Sequence, residues 1–270
     1  IRRPPRSTQG VSSAASDVYK RQDESILLER RERVFFSLAA LFICAMTLLN
    51  VVGITRFIQL GPMQLAIGVL PYPLTFLCTD LICEFYGRAR ANFVVTVGLV
   101  LNFFILGFMW LGNQIPSVTE TAMPPWQVLQ LAEGVSLPSG NRIEGQIELF
   151  QLIYHCTAGA VFASMIAYIA AQYTDVKLFH FWKTLTKGKH LWLRNNFSTL
   201  VSQAVDSIMV ISITFGAAFF AGDIAFKALL VLIGSNYLFK MTVALVDTGP
   251  FYLLVHHLKH YLQIDNTQVD

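Results

Sequence analysis

Three aspartates stand alone inside apolar runs: Asp80 in LPYPLTFLCTDLICEFYG, Asp206 in STLVSQAVDSIMVISITF and Asp247 in LFKMTVALVDTGPFYLLV. A carboxylate near the middle of a membrane helix costs about 2.5–3.5 kcal/mol on insertion scales, so it faces a cavity or a partner inside a bundle rather than lipid. There it can accept hydrogen bonds from a polar solute, hold a cation or carry a proton, and the side chain alone does not distinguish these. Each aspartate has polar company at helical spacing. Asp80 and Glu84 share one face, and Gly87 followed by Arg88 reads as a helix end with a cation where the dipole favours it. Glu84 therefore lies near a rim, either solvated and paired with Arg88 or Arg90, or guarding a mouth. Thr199, Gln203 and Asp206 fall on one stripe of an otherwise apolar helix, which lines a cavity or bonds to a neighbouring helix. Asn236, Lys240, Asp247 and Thr248 repeat the pattern, and Lys240 is placed to neutralise a carboxylate on a neighbouring helix. Asn50, Tyr154 and His155 are further candidates in apolar surroundings.

The elements that must position these groups follow from composition. The chain is 54% hydrophobic and 14% charged, with a mean hydropathy of +0.52; soluble domains carry about 25% charged residues. Most of its length falls in apolar windows near the roughly 20 residues that a bilayer core requires. The sequence predicts an all-α, polytopic membrane protein, a six-transmembrane-helix bundle with segments at Val34–Ile54, Gln64–Cys83, Asn92–Gly112, Gln146–Ala171, Ser198–Ala221 and Ile224–Val255. The bundle occupies 34–258, with a short N-terminal segment at 23–33 and a tail at 259–270. Pro71 and Pro73 make the second segment discontinuous, with its freed backbone groups facing protein or water. Thr248-Gly249-Pro250 marks a break in the sixth.

Loop charges orient the bundle. Eleven Lys and Arg residues between Arg30 and Lys259 fall in one set of loops and only Arg56 and Arg142 in the other, which puts both termini in the cytoplasm. The long outer loop, Asn113–Gly145, has four prolines and no long apolar run, and reads as an irregular or interfacial cap. Six segments entering from one side divide into three and three with inverted topology, a common transporter plan, and Asp80 and Asp206 take corresponding places in the two halves.

The first 22 residues lack an initiator Met and an apolar stretch, resemble translated sequencing-adapter read-through, and are set aside as a disordered, non-native leader. They supply a net +4; the remainder has 15 Lys+Arg against 16 Asp+Glu, a net of −1, so the basic balance implies no nucleic-acid partner. Cys44, Cys78, Cys83 and Cys156 lie in apolar runs without a C-x-x-C pair and read as small buried hydrophobes. No G-x-S-x-G, H-E-x-x-H, P-loop or dinucleotide fingerprint appears, so nothing points to an enzyme or a cofactor. Asp80 and Glu84 lack the further oxygen ligands of a metal site.

The blocks PLTFLCTDLICEFYGRARA and HLWLRNNFSTLVSQAVDS, with Lys240–Pro250, carry a resemblance to the queuosine-precursor transporter family, also called the vitamin uptake transporter family, over about Val34 to Leu258. Gly249 intervenes between Thr248 and Pro250, a departure from that family's D-T-P ending. The resemblance implies a bacterial inner-membrane importer of the 7-cyano and 7-aminomethyl 7-deazaguanine precursors of the tRNA nucleoside queuosine, with the lipid bilayer and the small base as partners; the sequence leaves open whether the chain forms a homodimer. The residues suit such a ligand. One carboxylate can accept from the adjacent N–H and amine of a guanine-type base, an amide can pair with its carbonyl edge, and aromatic rings can stack on its plane. On this reading Asp206 and Gln203 read the base edge, Asp80 adds to them, Glu84 guards the inner mouth, and Tyr72, Phe76 or Tyr154 stacks. Thr199, Asn50, Asp247 and Lys240 complete the expected binding set. The alternatives are a substrate-binding membrane subunit driven by a separate ATPase module, and a membrane enzyme or scaffold.

Overall fold

The computed structural model describes the backbone of residues 9–119, 122–186 and 191–263, and the side chains of those spans apart from 9–23, 88, 172–173, 175–176, 179–180, 183, 191–196 and 198–199. Six helices, α1 (Gln9–Val51), α2 (Tyr72–Gln114), α3 (Leu149–Leu185), α4 (Leu191–Phe220), α5 (Phe226–Val246) and α6 (Thr248–Leu262), carry the fold. They supply six apolar stretches long enough to cross a membrane: Glu24–Val51, Ile67–Gly87, Ala89–Gln114, Leu149–Ala171, Leu200–Phe220 and Phe226–Leu262. The all-α, six-span expectation therefore holds. The boundaries differ at the flanks, since α3 and α4 both run several residues beyond the apolar windows. The helical backbone of α1 begins at Gln9, inside the leader set aside from the sequence.

α2 provides two of the six spans. A straight helix would put Tyr72 and Asn102 about 45 Å apart at 1.5 Å per residue, yet both line one cavity. The chain must fold back between them. Gly87, at φ 82° and ψ 163°, is where the helical torsions fail. That positive φ is open to glycine and strained for other residues. α1 packs against both arms of α2, in a core of Phe42, Cys78, Ile82, Ala91 and Val94.

The second span begins irregularly, as Pro71 and Pro73 require, but its entry is more structured than an unwound helix. β1 (Phe57–Leu60) and β2 (Met63–Ala66) form an antiparallel hairpin around Gly61-Pro62, followed by a single 3-10 turn at Ile67–Val69. So Gln64–Ala66, read from the sequence as the start of a membrane segment, is a strand. The hairpin lies against α5, with Leu65 packed on Phe239 and Val243. Protein groups satisfy its backbone. The Gln64 amide donates to Ser235 Oγ at 3.1 Å, the Ile67 amide to the Arg56 carbonyl at 2.8 Å, and the Gly68 amide to the Gly53 carbonyl at 3.0 Å.

The long loop holds strands that the sequence reading did not anticipate: β3 (Val128–Gln130) pairs with β6 (Gln146–Glu148), and nested within them β4 (Val135–Ser136) pairs with β5 (Arg142–Ile143). Gln146–Glu148, expected as the start of the fourth segment, is strand. A Cβ built on Gly140, in this loop, would lie 3.4 Å from Ala217 Cβ of α4, so the cap rests on the bundle.

The break in the last span falls at Asp247, one residue before Thr248-Gly249-Pro250. Its torsions (φ −65°, ψ −20°) stay in the right-handed helical region. The Asp247 amide still reaches the Val243 carbonyl at 2.8 Å and the Phe251 amide reaches Asp247 at 3.0 Å, so α5 passes into α6 with little interruption. Lys227, in the first turn of α5, joins Arg56 and Arg142 at the hairpin end of the bundle, a third basic residue where the sequence reading counted two. Cys78 is buried as expected, whereas Cys44 is exposed on the outer face of α1.

Candidate functional site

A cavity of about 210 Å³ lies between α1, the hairpin and its 3-10 turn, both arms of α2, α3, α4 and α5. Helical periodicity brings its polar groups inward. On α5, Asn236 and Lys240 are one turn apart on the same face as Leu229 and Val243, and all four are buried. On α4, Asp206, Val210 and Thr214 follow one another at intervals of four and all line the cavity. α1 contributes Met46, Asn50 and Gly53, and the second arm of α2 contributes Leu99 and Asn102.

The Lys240 ammonium donates to Asp206 Oδ2 across the α4–α5 contact, with side chains 6% and 16% exposed. The same Nζ lies 4.8 Å from the centroid of the Tyr72 ring, a cation–π contact. Tyr72 in turn meets Phe76 edge to face at 4.6 Å. One ammonium thus ties the first residue of α2 to the middle of α4 and α5. Opposite charges this far from water are held by each other, and removing either would leave an uncompensated charge. Because the pair sums to zero, the wall presents hydrogen-bonding groups without net charge.

Also on the cavity lining, Asn50 Nδ2 donates to Asn102 Oδ1 at 2.8 Å, and both residues are 4% exposed. Thr157 Oγ1 donates to the Val51 carbonyl at 3.1 Å, which gives an otherwise free acceptor at the end of α1 a partner on α3. Gly68 sits against Gly53, and a Cβ built on it would be 2.5 Å from Gly53 Cα and 2.8 Å from the Leu49 carbonyl oxygen. Only two glycines permit this approach of the 3-10 turn to the end of α1.

Of the residues singled out from the sequence, Asp206, Lys240 and Asn50 line this cavity, as does Tyr72 among the stacking candidates. Lys240 does neutralise a carboxylate on a neighbouring helix, and that carboxylate is Asp206. Gln203, expected beside Asp206 at the base edge, is not on the cavity wall; its Oε1 is buried without a hydrogen-bond partner. By helical spacing it shares the face of Asp206, Val210 and Thr214, but it lies three residues, about 4.5 Å, further along α4, beyond the end of the cavity. Thr199 belongs to α4, but its side chain lies outside the described residues.

Asp80 also lies off the cavity, on an exposed face of α2, within electrostatic range of Asp247. Thr79 does not hold it: the Thr79 hydroxyl donates to the Thr75 and Phe76 carbonyls. Glu84 faces Lys259 of α6 at 3.8 Å, while Arg90 bonds Glu32 of α1 at 3.1 Å, so of the two partners expected for Glu84, Arg90 is engaged elsewhere and the side chain of Arg88 lies outside the described residues. These residues form a second group at the Gly87 end. There the Tyr86 hydroxyl also donates to the Arg31 carbonyl at 2.7 Å. The sequence reading missed Asn102, although a lone Asn in VGLVLNFFILGF carries the same signal that drew attention to Asn50.

Six apolar spans around a cavity with polar groups on its walls describe a polytopic membrane protein able to hold a small solute between its helices. Residues 66–255 match the family described as "Putative vitamin uptake transporter", and the chain belongs to that transporter family. The chain is also similar to the "Probable queuosine precursor transporter" of Bacillus subtilis (strain 168), with 24% identity over 204 residues that cover 74% of this chain and 75% of that one. Comparison with solved structures gives no match.

Proposed function

We propose that the protein imports the queuosine precursors 7-cyano-7-deazaguanine and 7-aminomethyl-7-deazaguanine across the bacterial inner membrane, with both termini in the cytoplasm. The observation that carries this reading is the buried Asp206–Lys240 pair on the wall of a base-sized cavity in a member of an uptake family. Asp206 Oδ2 is engaged by Lys240. Its other oxygen is the acceptor for the exocyclic amine of a guanine-type base, and Tyr72 offers a flat face beside it. The planar, uncharged deazaguanine ring common to both compounds matches a wall without net charge. The name of the Bacillus relative points to the same ligand class.

In this reading Asp206, Lys240, Asn50 and Tyr72 form the binding site. Asp80, Asp247 and Glu84 belong to the route toward the Gly87 end, and the stepwise exchange of access to the site follows the transporter plan of a central site between helices.

The test is precursor-dependent queuosine in the tRNA of cells that lack both its synthesis and their own importer. The expected result is queuosine restored by the parent and not by Asp206→Asn at equal membrane abundance. Uptake by the purified protein in liposomes, with and without an ATPase fraction, separates a self-sufficient carrier from a subunit of an ATP-driven system. Absence of uptake of either base by the parent overturns the proposal.

A further inference from the structure

We infer that Asn102, held by Asn50, reads the carbonyl of the transported base, the role that the sequence suggested for Gln203. The inference rests on the proposed function for the identity of the ligand, but its geometry is independent of it. A hydrogen bond between two helix-borne amides inside a membrane protein needs no further explanation when it only joins the helices. Here the pair sits on the two stripes that face the cavity: Met46, Asn50 and Gly53 on α1, and Leu99 and Asn102 on α2.

Each amide has two donor hydrogens and a carbonyl with two lone pairs. The bond between them uses one hydrogen of Asn50 and one lone pair of Asn102. The remainder is not sealed in protein. Buried polar atoms without a partner include Gln203 Oε1, but no atom of Asn50 or Asn102. What remains is the NH₂ of Asn102 and the carbonyl of Asn50, and both residues line the cavity.

The Asn50 bond also fixes which end of Asn102 points where, since the end that accepts from Asn50 must be its oxygen. The part of the cavity wall formed by α1 and α2 thus presents a donor beside an acceptor, and Asp206, on the part formed by α4, is a pure acceptor. A ligand that satisfies both parts has a ring carbonyl beside an N–H on one edge and additional N–H groups on another. That is the lactam of a guanine-type base, and a 6-amino purine lacks it. Replacing the ring carbonyl by an amine would set donor against donor at Asn102 and leave a buried group unpaired, at a cost of about 1–3 kcal/mol.

The experiment measures competition for liposome uptake between 7-cyano-7-deazaguanine and its analogue with an amino group in place of the ring carbonyl. The parent is expected to prefer the carbonyl compound by about tenfold or more. Asn102→Asp keeps an acceptor for Asn50 but replaces the donor with an acceptor, and it is expected to reverse the preference. If it does not reach the membrane, Asn102→Ala is read for the same ratio and is expected to lose the preference. A parent that takes up both compounds equally, or a variant with the preference of the parent, overturns the assignment of Asn102. A parent that takes up neither compound overturns the proposed function instead, so the two failures are distinct.

Discussion

Lys240 and Asp206 are paired across α5 and α4 while the same ammonium rests over the ring of Tyr72. A buried pair of this kind is costly to break from one side and much cheaper to remove whole. Asp206→Asn and Lys240→Gln are each expected to lower stability by about 3–5 kcal/mol in a detergent-solubilised thermal or denaturant melt, and the double variant to recover a substantial part of it. Uptake is expected to remain lost in the double variant, since Asp206 also serves the ligand. A double variant as unstable as the sum of the two singles would mean that the side chains do not interact.

Tyr72 separates two contributions. Tyr72→Phe keeps a ring under the ammonium and Tyr72→Leu removes it. The leucine variant is expected to lose about 0.5–2 kcal/mol relative to the phenylalanine variant, and the difference should vanish in a Lys240→Gln background. A difference that persists there would assign the effect of the ring to packing alone.

Gly68→Ala places a methyl group against backbone on both sides, so neither neighbour can rotate away. It is expected to cost about 1–3 kcal/mol or more and to impair uptake by displacing the turn that walls the cavity. Gly98→Ala is the control. Its Cβ would meet the Phe42 ring at 3.0 Å, a side chain that can shift, and its effect should be clearly smaller.

At the Gly87 end, Arg90 and Glu32 are each nearly half exposed, and Glu84 and Lys259 lie 3.8 Å apart at 30% exposure. Such pairs contribute about 0–1 kcal/mol and weaken with salt. Glu84→Gln is therefore expected to leave the melting temperature almost unchanged. If it leaves uptake unchanged as well, Glu84 has no part in the passage of the base.

The architecture was legible because apolar stretches of bilayer length interrupted by charge admit few other readings. Asp206, Lys240 and Asn50 were legible for a related reason: each is too expensive to turn toward lipid. Position along the helix axis is what the sequence left open. Gln203 and Asp206 share one polar face, yet the cavity sees one and not the other, because Gln203 lies about 4.5 Å further along α4, away from Val210 and Thr214. Asp80 met the same criterion as Asp206 and lies on an exposed face of α2, so burial in a run of apolar letters is no guide to which neighbours surround a group. The short strands were illegible on different grounds. Two to four residues are too few to show the alternation that marks a strand, and FIQLGPMQLA read as the approach to a membrane segment although Gly61-Pro62 is a turn signal.

The hairpin of β1 and β2 has a mechanical consequence. Every other wall of the cavity is a rod fixed at both surfaces of the bilayer, so shifting it drags polar ends through lipid headgroups. This wall is a short ribbon joined to α1 and α2 through Gly53 and the Pro71–Pro73 stretch, moored to α5 by one amide-to-hydroxyl bond and a patch of apolar contact, and to α4 by the Phe57–Phe215 ring contact at 5.9 Å. Displacing it would part these few contacts without moving a membrane-spanning helix.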